Sequence, residues 1–522
     1  MHRRDDPEGI GGPTRRTRRM SYNLGINVVE VDGRATPSIQ PAATSISGFI
    51  IHARRGVPGV VRRVTNWTQF VEQFGAHSSA AYGAYAIRGF FDNGGTTAYV
   101  TRVVRDTSVA ATRTFNADAS AALAVTAAYR GSDDPGAWGN NLSIRIIEND
   151  LESTRFDVIV RLGGQEVEVW EGLGMDEDAP HFVDDVLNDP ISGSKYIRVE
   201  ASGDDNPDET SGHGDADDDE FVPLQNGADE DFATEPSRTS ALSAAIDLFD
   251  SVDIQLLACP ETTAAGFVEA ALTHCEFKND RMFVGHTPEA MEAADIRSSY
   301  SGAFQAAKVY GALYFPWIQV AKPGGGHRWI PPTGHILGMY ARTDRERGVW
   351  KAPAGNAARL NGALDVRFSI TDTDHTHMVK GGSVNAVRFI PGQGIVVDSS
   401  RTLSTSGLWL YVNIRLLFNM VKSSLKSDLR WVVQEPNSEE LWNKIKFNSV
   451  TPFLMGLWRR GAFGPGAPED VFTVKCDEEN NSPADIQGGR LNVEVYFYPS
   501  RPAETIVITV GQQEGGGSAG ES

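Results

Sequence analysis

The sequence predicts a mixed α/β fold, with α+β character towards the C-terminus, that is divided among several domains. Three observations predict it. The chain has 522 residues, which is more than one hydrophobic core usually organises. Strand-like and helix-like segments alternate in two regions, and a stretch of short strand-like runs separates those regions. We therefore expect a discontinuous α/β core, an inserted β-rich domain and a C-terminal α+β domain, with short strands tethered at both ends.

Alternating strands and helices define the predicted core. The predicted core strands span residues 48–53, 60–64, 96–104, 253–258 and 282–284, and the predicted core helices span residues 67–74, 82–92, 241–249 and 264–277. Such alternation is typical of a mainly parallel sheet that is covered on both faces. We assign residues 48–109 and 226–355 to this discontinuous middle domain.

A segment of different character interrupts the core. Runs such as Phe-Asp-Val-Ile-Val-Arg at 156–161 and Glu-Val-Glu-Val-Trp at 166–170 alternate in part between apolar and polar residues. Partial alternation indicates strands with one exposed face, which is typical of antiparallel sheets. We expect residues 110–225, which end in an acidic loop, to form an inserted β-rich domain.

Basic residues lie on the predicted helices of the last third of the chain. Residues 413–429 have apolar side chains at helical spacing, and the cations Arg415, Lys422 and Lys426 are available to another face. Lys444 and Lys446 lie on the next predicted helix. We take these cations as candidate contact residues, against the alternative of a solvated helix face.

The start and end of that next helix are predicted from local signals. Asn-Ser-Glu-Glu at 437–440 has the spacing of a capping box, so a helix is expected to begin there. Pro452 is expected to interrupt it near residue 450. A strand is predicted over 491–498, and residues 356–510 are assigned to a C-terminal domain.

Short β-type segments lie near both ends of the chain. The N-terminal strand comprises Ile26, Asn27, Val28, Val29, Glu30 and Val31, and the C-terminal strand comprises Thr505, Ile506, Val507, Ile508, Thr509 and Val510. Each strand either pairs within its own subunit or completes the sheet of a neighbouring one. Composition and spacing do not distinguish these two arrangements.

The remaining terminal residues have no pattern of a packed domain. Residues 1–19 are expected to be a disordered basic leader, or a segment upstream of a true start at Met20. Residues 20–47 form the N-terminal strand with an extended linker arm that is rich in Pro, Ala, Ser and Thr. Residues 511–522, rich in Gly and Ser, are expected to be a flexible tail.

Composition excludes several classes of function. The net charge of −20 disfavours nonspecific binding to nucleic acid or to anionic membranes. Three scattered cysteines cannot form a disulfide framework or a zinc site and favour a reducing compartment. We find neither an export signal nor an apolar run long enough to span a bilayer, so no membrane insertion is expected.

Four motifs that suggest chemistry are better explained by ordinary structure. Asp-Thr-Asp-His-Thr-His at 372–377 has no third ligand at a defining spacing and favours a polar loop over a metal site. The acidic run at 215–220 lacks the glycine and glutamate of a calcium loop. The glycines at 324–326 indicate a hairpin turn, and Gly-Ser-Ala-Gly near the C-terminus lies in low-complexity sequence. No catalytic, cofactor or metal site is expected.

Several motifs occur in a fixed order along the chain. They are Gly-Ile-Asn-Val-Val-Glu-Val at 25–31, Gly-Gly-Thr-Thr-Ala-Tyr-Val-Thr-Arg-Val-Val at 94–104, Pro-Gly-Ala-Trp-Gly-Asn-Asn at 135–141, Leu-Tyr-Phe-Pro-Trp-Ile at 313–318, Pro-Pro-Thr-Gly-His-Ile-Leu-Gly at 331–338, Gly-Val-Trp-Lys-Ala-Pro-Ala-Gly at 348–355, Arg-Thr-Leu-Ser at 401–404 and Gln-Glu-Pro-Asn at 434–437. With these motifs, the span from about residue 21 to 510 resembles the contractile tail sheath family of phages, pyocin-like particles and extracellular contractile injection systems.

The resemblance implies a mechanical function. Subunits of this family polymerise as stacked hexameric rings around an inner tube and contract to drive the tube forward, without a cofactor. It implies that the two terminal strands are donated to neighbouring subunits, with residues 34–47 and 499–504 as flexible joints. It also implies an outer insertion, and an inner C-terminal domain whose cations touch the tube.

The resemblance further implies the partners and the location. The partners are other copies of the chain, the inner tube protein, and the baseplate and terminal cap proteins. Assembly in the bacterial cytoplasm is implied, followed by residence in a phage tail or an injection-system particle. The compact insertion favours an injection system.

Two other classes of function are considered. An α/β hydrolase or transferase would need a cluster of convergent titratable residues, and the sequence suggests none. A surface adhesin should have an export signal or fibre-like repeats, and neither is found.

Overall fold

A computed structural model describes residues 38–105, 107–117, 120–152, 154–210, 221–229 and 235–504. The strands in these ranges are, in chain order, β1 (Ser47–Ile51), β2 (Val61–Val64), β3 (Ala98–Arg102), β4 (Thr112–Ala117), β5 (Ser120–Tyr129), β6 (Ser132–Asp133), β7 (Leu142–Glu148), β8 (Phe156–Leu162), β9 (Gln165–Leu173), β10 (Ile197–Ala201), β11 (Val222–Pro223), β12 (Leu256–Ala258), β13 (Met282–His286), β14 (Gly311–Phe315), β15 (Ile318–Ala321), β16 (His327–Ile330), β17 (Asp365–Val366), β18 (Val384–Ile390), β19 (Gly394–Val397), β20 (Phe472–Lys475) and β21 (Glu494–Phe497).

The helices alternate with these strands in part of the chain and cluster towards its end. They are α1 (Trp67–Phe74), α2 (Gly83–Asp92), α3 (Val183–Leu187), α4 (Glu235–Ala244), α5 (Ala265–Lys278), α6 (Ile296–Ser299), α7 (Thr333–Arg347), α8 (Asp372–Thr376), α9 (Val412–Asp428), α10 (Glu439–Asn443), α11 (Thr451–Arg459), α12 (Pro468–Val471) and α13 (Pro483–Gln487). Two segments, His377–Gly381 and Lys444–Val450, are π-helical.

The centre of the fold is an eight-stranded sheet. Its spatial order is β19-β18-β14-β13-β12-β1-β3-β2. The strands from β18 to β3 run parallel, and the edge strands β2 and β19 are antiparallel to their neighbours. Every residue of β1, β12, β13 and β14 is buried. The predicted mixed α/β fold with a mainly parallel, covered sheet is confirmed.

Two apolar clusters cover the two faces of this sheet, because successive side chains of a strand point to opposite faces. In β1, Phe49 and Ile51 belong to one cluster, and Ile50 belongs to the other. Helices α2 and α7 contribute to the first cluster, whereas α5 contributes to the second. This burial on both faces explains why the strand sequences are continuous apolar runs.

Two antiparallel sheets lie within the segment predicted to be an insertion. One has the order β10-β5-β4, with β6 paired to β5, and the other has the order β11-β7-β8-β9. Their apolar side chains share a third cluster that includes Leu123, Ile144 and Val158. The antiparallel character is as predicted, and the division of the chain into domains at residues 110 and 225 stays a prediction.

The helices after residue 437 differ from the prediction. Ser438, rather than Asn437, caps α10, since its side chain accepts a hydrogen bond from the Leu441 amide. Pro452 does not interrupt the helical path, which continues as the π-helical segment Lys444–Val450 and then as α11. Pro452 lies in the first turn of α11, where a missing N–H disrupts little.

The glycines at 324–326 form the turn of a hairpin between β15 and β16, as predicted. All three have φ between 78° and 108°, a region that favours glycine. Residues 372–377 do not form the predicted polar loop. They form α8 and the start of a π-helical segment, because the Thr371 and Asp374 side chains make a capping box.

Within the described residues, no helix is both long enough and apolar enough to cross a membrane.

Candidate functional site

The two predicted terminal strands, Ile26 to Val31 and Thr505 to Val510, lie outside the described residues. The acidic run at 215–220 and the terminal segments 1–19 and 511–522 also lie outside them. The structure does describe the body at the points where the two terminal arms reach it. These arms are the residues 38–46 that precede β1 and the residues 499–504 that follow β21.

The N-terminal arm is attached to the C-terminal end of helix α9. The Gln40 amide donates to Asp428 Oδ2 at 2.6 Å, and the Ala42 amide donates to Ser424 Oγ at 2.8 Å. Ile39 is 6% exposed and belongs to the main apolar cluster. Two hydrogen bonds from amides of the arm to side chains of α9, together with one buried side chain, therefore hold this arm on the body.

The C-terminal arm is attached near the start of the same helix. The Ser500 amide donates to the Ala462 carbonyl at 3.2 Å, and Asn413 Nδ2 of α9 donates to the Ser500 carbonyl at 3.3 Å. At the end of the arm, Arg401 Nε and Nη2 donate to the two carboxylate oxygens of Glu504 at 2.7 and 2.6 Å. The hydrogen bonds and charge of Arg401 lower the pKa of Glu504.

The described parts of both arms are held against the body. This differs from the expectation of a flexible joint over 499–504, because hydrogen bonds hold residues 500 and 504 to the body. Helix α9 has 17 residues, so a rise of 1.5 Å per residue separates its ends by about 25 Å. The two arms therefore join the body at opposite ends of helix α9.

Arg415, one of the candidate contact residues, does not lie on the solvated helix face that was considered as the alternative. The side chain is fully buried. Its guanidinium carbon lies 4.0 Å from the centre of the Tyr310 ring and 4.1 Å from the centre of the Trp409 ring. Burial lowers the Arg415 pKa to about 10. Two aromatic side chains from outside the helix therefore cover a position that periodicity assigns to the polar face.

Lys422 is half-buried next to the same ring. Its Nζ lies 5.2 Å from the Tyr310 ring centre, and it donates to the carbonyl and, at 2.6 Å, to the Oδ1 of Asn279. Burial first, and then the charges of Arg415 and Lys308, lower the Lys422 pKa to about 8. Lys422 therefore fastens α9 to the end of α5, and only part of it faces solvent.

The other candidate cations are more accessible. Lys426 is exposed in the last turn of α9, and Lys444 is exposed with an ion pair to Glu440 at 2.8 Å. Lys446 is half-buried and lies 3.4 Å from Asp477. The structure thus does not bring the five candidates together as one surface, and Lys426 and Lys444 are the exposed ones.

The chemical motifs weighed in the sequence give no metal site in the described ranges, where no group of three or more His, Cys, Asp and Glu side chains could hold an ion. His375 lies 3.6 Å from Asp398, but Arg388 already pairs with that carboxylate at 2.6 Å. Cys259, Cys275 and Cys476 are buried, and none of them forms a disulfide.

Sequence reasoning missed the residues that hold the C-terminal arm. Arg401 belongs to the Arg-Thr-Leu-Ser motif, yet its partners Asn385 and Glu504 are separated from it by 16 and 103 residues. No local pattern connects residues at such distances. A covariation signal between positions 401 and 504 could have found the pair.

Comparison with known proteins gives a consistent result along the chain. Residues 236–403 match the family model described as the phage tail sheath protein central domain, and residues 404–513 match the phage tail sheath C-terminal domain. The tail sheath protein of Salmonella phage ViI is 26% identical over 174 residues, which cover 33% of this chain and 26% of that protein. The chain thus spans about a quarter of the length of that relative.

Solved structures extend the likeness to nearly the whole chain. The sheath complex of the extracellular contractile injection system PVC, in its contracted state, matches with a TM-score of 0.58 and 18% identity. That match covers 95% of this chain and 99% of the other. A sheath tail protein from Listeria innocua matches with a TM-score of 0.61 and 14% identity, over 88% of this chain and 96% of the other. At such identities the likeness concerns the fold.

Proposed function

Because this chain belongs to the contractile tail sheath family, we propose that it is the subunit of a contractile sheath. Tail sheath proteins are structural proteins, and this chain is not an enzyme. In the proposal, copies of the chain polymerise as stacked hexameric rings around an inner tube. Contraction of the polymer drives the tube through a target envelope, and donated terminal strands keep the subunits linked.

One observation supports strand donation above the others: both arms are fastened to the body on the side of the predicted strands that faces the subunit. Glu504 directly precedes the predicted C-terminal strand, and Gln40 follows the end of the predicted N-terminal strand by nine positions. The N-terminal arm is held at Gln40 and Ala42, and the C-terminal arm is held at Ser500 and Glu504. A strand that leaves a fixed point can bind a neighbour in a defined direction, which lowers the entropy lost on binding.

The small sheet of β20 and β21 is a suitable acceptor for such strands. It contains two strands in the described part of the chain, and one of its faces packs on the main apolar cluster through Phe472 and Val474. Tyr496 of β21 and the following Tyr498 are 61% and 51% exposed. Added strands would pair with the sheet edges and cover these rings, which is the physical basis of strand addition.

The particle type, partners and location complete the proposal. We favour an injection-system sheath over a phage tail sheath, because the segment predicted as an insertion is compact, with its two antiparallel sheets sharing one apolar cluster. The proposed partners are the inner tube, the baseplate and the terminal cap. The proposed place of assembly is the bacterial cytoplasm, followed by incorporation into the particle.

A pair of truncations tests the proposal. Deletion of residues 1–32 removes the predicted N-terminal strand, and deletion of residues 1–19 removes only the leader and serves as the control. Negative-stain microscopy should show ordered striated tubes for the full chain and for the shorter deletion. The longer deletion should give folded subunits, by circular dichroism, without tubes. Normal tubes from the longer deletion would refute strand donation, and persistent globules from every variant would refute the sheath.

A further inference from the structure

Arg401 connects the C-terminal arm to the centre of the molecule through two sets of contacts. Its side chain makes a bidentate ion pair with Glu504, in which the two side chains are 11% and 27% exposed. Bidentate arginine–carboxylate pairs are strong and orient both groups. Partial burial also protects the pair from screening by salt. The end of the arm is therefore held in a defined direction.

The backbone of Arg401 is fastened to the central sheet. Asn385 of β18 accepts from the Arg401 amide at 2.5 Å and donates to the Arg401 carbonyl at 2.7 Å. The Asn385 side chain also donates to the Leu313 carbonyl of β14, and the Leu403 amide donates to the Gly311 carbonyl of the same strand. Asn385 is fully buried, so these hydrogen bonds are shielded from competing water.

The other attachments of the arm are weaker. Ser500 makes neutral hydrogen bonds at 3.2 and 3.3 Å to Ala462 and Asn413. A cavity of about 430 Å³ separates residues 502–504 from the body at His375 and Val379. Close packing therefore does not hold the end of the arm. Its attachment comes from the two side chains that hydrogen-bond Glu504, the charged Arg401 and the neutral Tyr411 hydroxyl, and the charged contact is the stronger of the two.

We propose that Arg401 is a positioning residue that transmits load between the C-terminal arm and the central sheet. The inference rests on the proposed function, in which the strand after this arm binds a neighbouring subunit. A pull on that strand passes from Glu504 through the Arg401 side chain to Asn385, and then to β14 and β18. The rigid eight-stranded sheet, rather than the small sheet of β20 and β21, receives the force of contraction.

Substitutions in the full-length chain test this role. Arg401→Gln and Glu504→Gln each remove the ion pair, and the double variant Arg401→Glu with Glu504→Arg restores it with reversed charges. Arg388→Gln is the matched control, because Arg388 also pairs with carboxylates but donates its hydrogen bonds to Asp398 and Asp372 rather than to the arm.

Hydrogen exchange of the unassembled subunit and microscopy of contracted sheaths are the two measurements. Both single variants should raise exchange of the Ser500 amide, which donates to the Ala462 carbonyl, by roughly tenfold, the effect expected when the end of the arm loses a charge-assisted bond. Exchange in β14 and β18 should not change. Contracted sheaths of these variants should break into short pieces, whereas the double variant and Arg388→Gln should remain continuous.

A third variant separates this inference from the proposed function. Deletion of residues 505–522 removes the strand but leaves the ion pair. If that deletion prevents linked sheaths while Glu504→Gln changes neither exchange nor sheath continuity, Arg401 does not transmit load. If the deletion leaves sheaths intact, strand donation by this end is wrong, and the exchange data alone decide whether Arg401 holds the arm. Glu504 lies at the surface, so the Glu504→Gln variant should fold even if the Arg401→Gln variant does not. The test therefore does not depend on Arg401→Gln alone.

Discussion

Asp134 lies where the central sheet meets the segment that contains the antiparallel sheets. Its carboxylate is fully buried and accepts from the Gly56 amide at 2.7 Å and from Arg102 Nη1 at 3.0 Å. Arg55 Nε lies 3.6 Å from the other carboxylate oxygen, and Arg55 Nη2 donates to the Lys195 carbonyl at 2.6 Å. The negative charge of Asp134 thus pairs with two buried guanidinium groups, those of Arg55 and Arg102.

Loss of this carboxylate should destabilise the subunit strongly. Asp134→Ala leaves Arg55 and Arg102 buried without their partner, which costs about 3–5 kcal/mol in the free energy of unfolding. The neighbouring Asp133 pairs with Arg198 at the surface and is 55% exposed, so Asp133→Asn should cost less than about 1 kcal/mol. Urea unfolding of the two variants measures both values. Equal free energies of unfolding would show that the Asp134 ion pairs do not stabilise the junction between the central sheet and the antiparallel sheets.

The burial of Arg415 could not be predicted from the sequence. Helical periodicity places it with Lys422 and Lys426 on the polar side of α9, and the helix itself is found at Val412–Asp428. The rings that cover Arg415 come from Tyr310 and Trp409, and only tertiary packing brings the first of them to the helix. Burial of a charge by distant aromatic residues leaves no local pattern.

At the scale of elements, helices α2 and α7 approach each other unusually closely. A Cβ atom at Gly338 would lie 2.3 Å from the Phe90 carbonyl oxygen, and one at Gly334 would lie 2.0 Å from the Ala86 carbonyl oxygen. Backbone atoms cannot yield as a flexible side chain does. Both glycines belong to the Pro-Pro-Thr-Gly-His-Ile-Leu-Gly motif, which therefore specifies a helix crossing.

A methyl group at this crossing should push the helices apart. Gly338→Ala is expected to lower the free energy of unfolding by about 1–3 kcal/mol, as overpacking of a close contact does. Gly456→Ala in α11 is the control, since a Cβ atom there meets nothing within 4 Å. The control should be neutral or should stabilise by about 0.4–1 kcal/mol, because alanine favours helix. Thermal unfolding distinguishes the two, and a stable Gly338→Ala would disprove the close crossing.

The elements that were predicted are those whose own sequence determines them. Helices α1 and α5 and five strands of the central sheet, β1, β2, β3, β12 and β13, follow from local apolar patterns, because each of them contributes apolar side chains to the core. Strands β14, β18 and β19 of the same sheet were not predicted. The π-helical segment Lys444–Val450 was not predicted. It joins two α-helices by a wider helical turn, and its amino-acid composition does not differ from that of an α-helix. The arm contacts at Arg401 depend on residues far apart in the chain.

At the scale of the whole molecule, charge opposes assembly. The chain has 68 acidic and 48 basic residues other than histidine, and a net charge of −20 makes copies repel each other. Salt weakens this repulsion, with a screening length of about 10 Å at 0.1 M. The proposed tube contacts through Lys426 and Lys444 would instead be attractions between opposite charges, and salt weakens those as well.

Higher ionic strength should therefore strengthen the contacts between sheath subunits and weaken the contacts between a subunit and the tube. Raising salt from about 0.05 to about 0.5 M should promote polymerisation of the isolated subunit and should weaken its binding to purified tubes. Light scattering measures the first effect, and co-sedimentation with tubes measures the second. Charge reversal by Lys426→Glu with Lys444→Glu should abolish tube binding and its salt dependence, whereas Lys351→Glu, at an exposed lysine outside the candidate set, should not. Tube binding that is indifferent to both salt and charge reversal would mean that other residues face the tube.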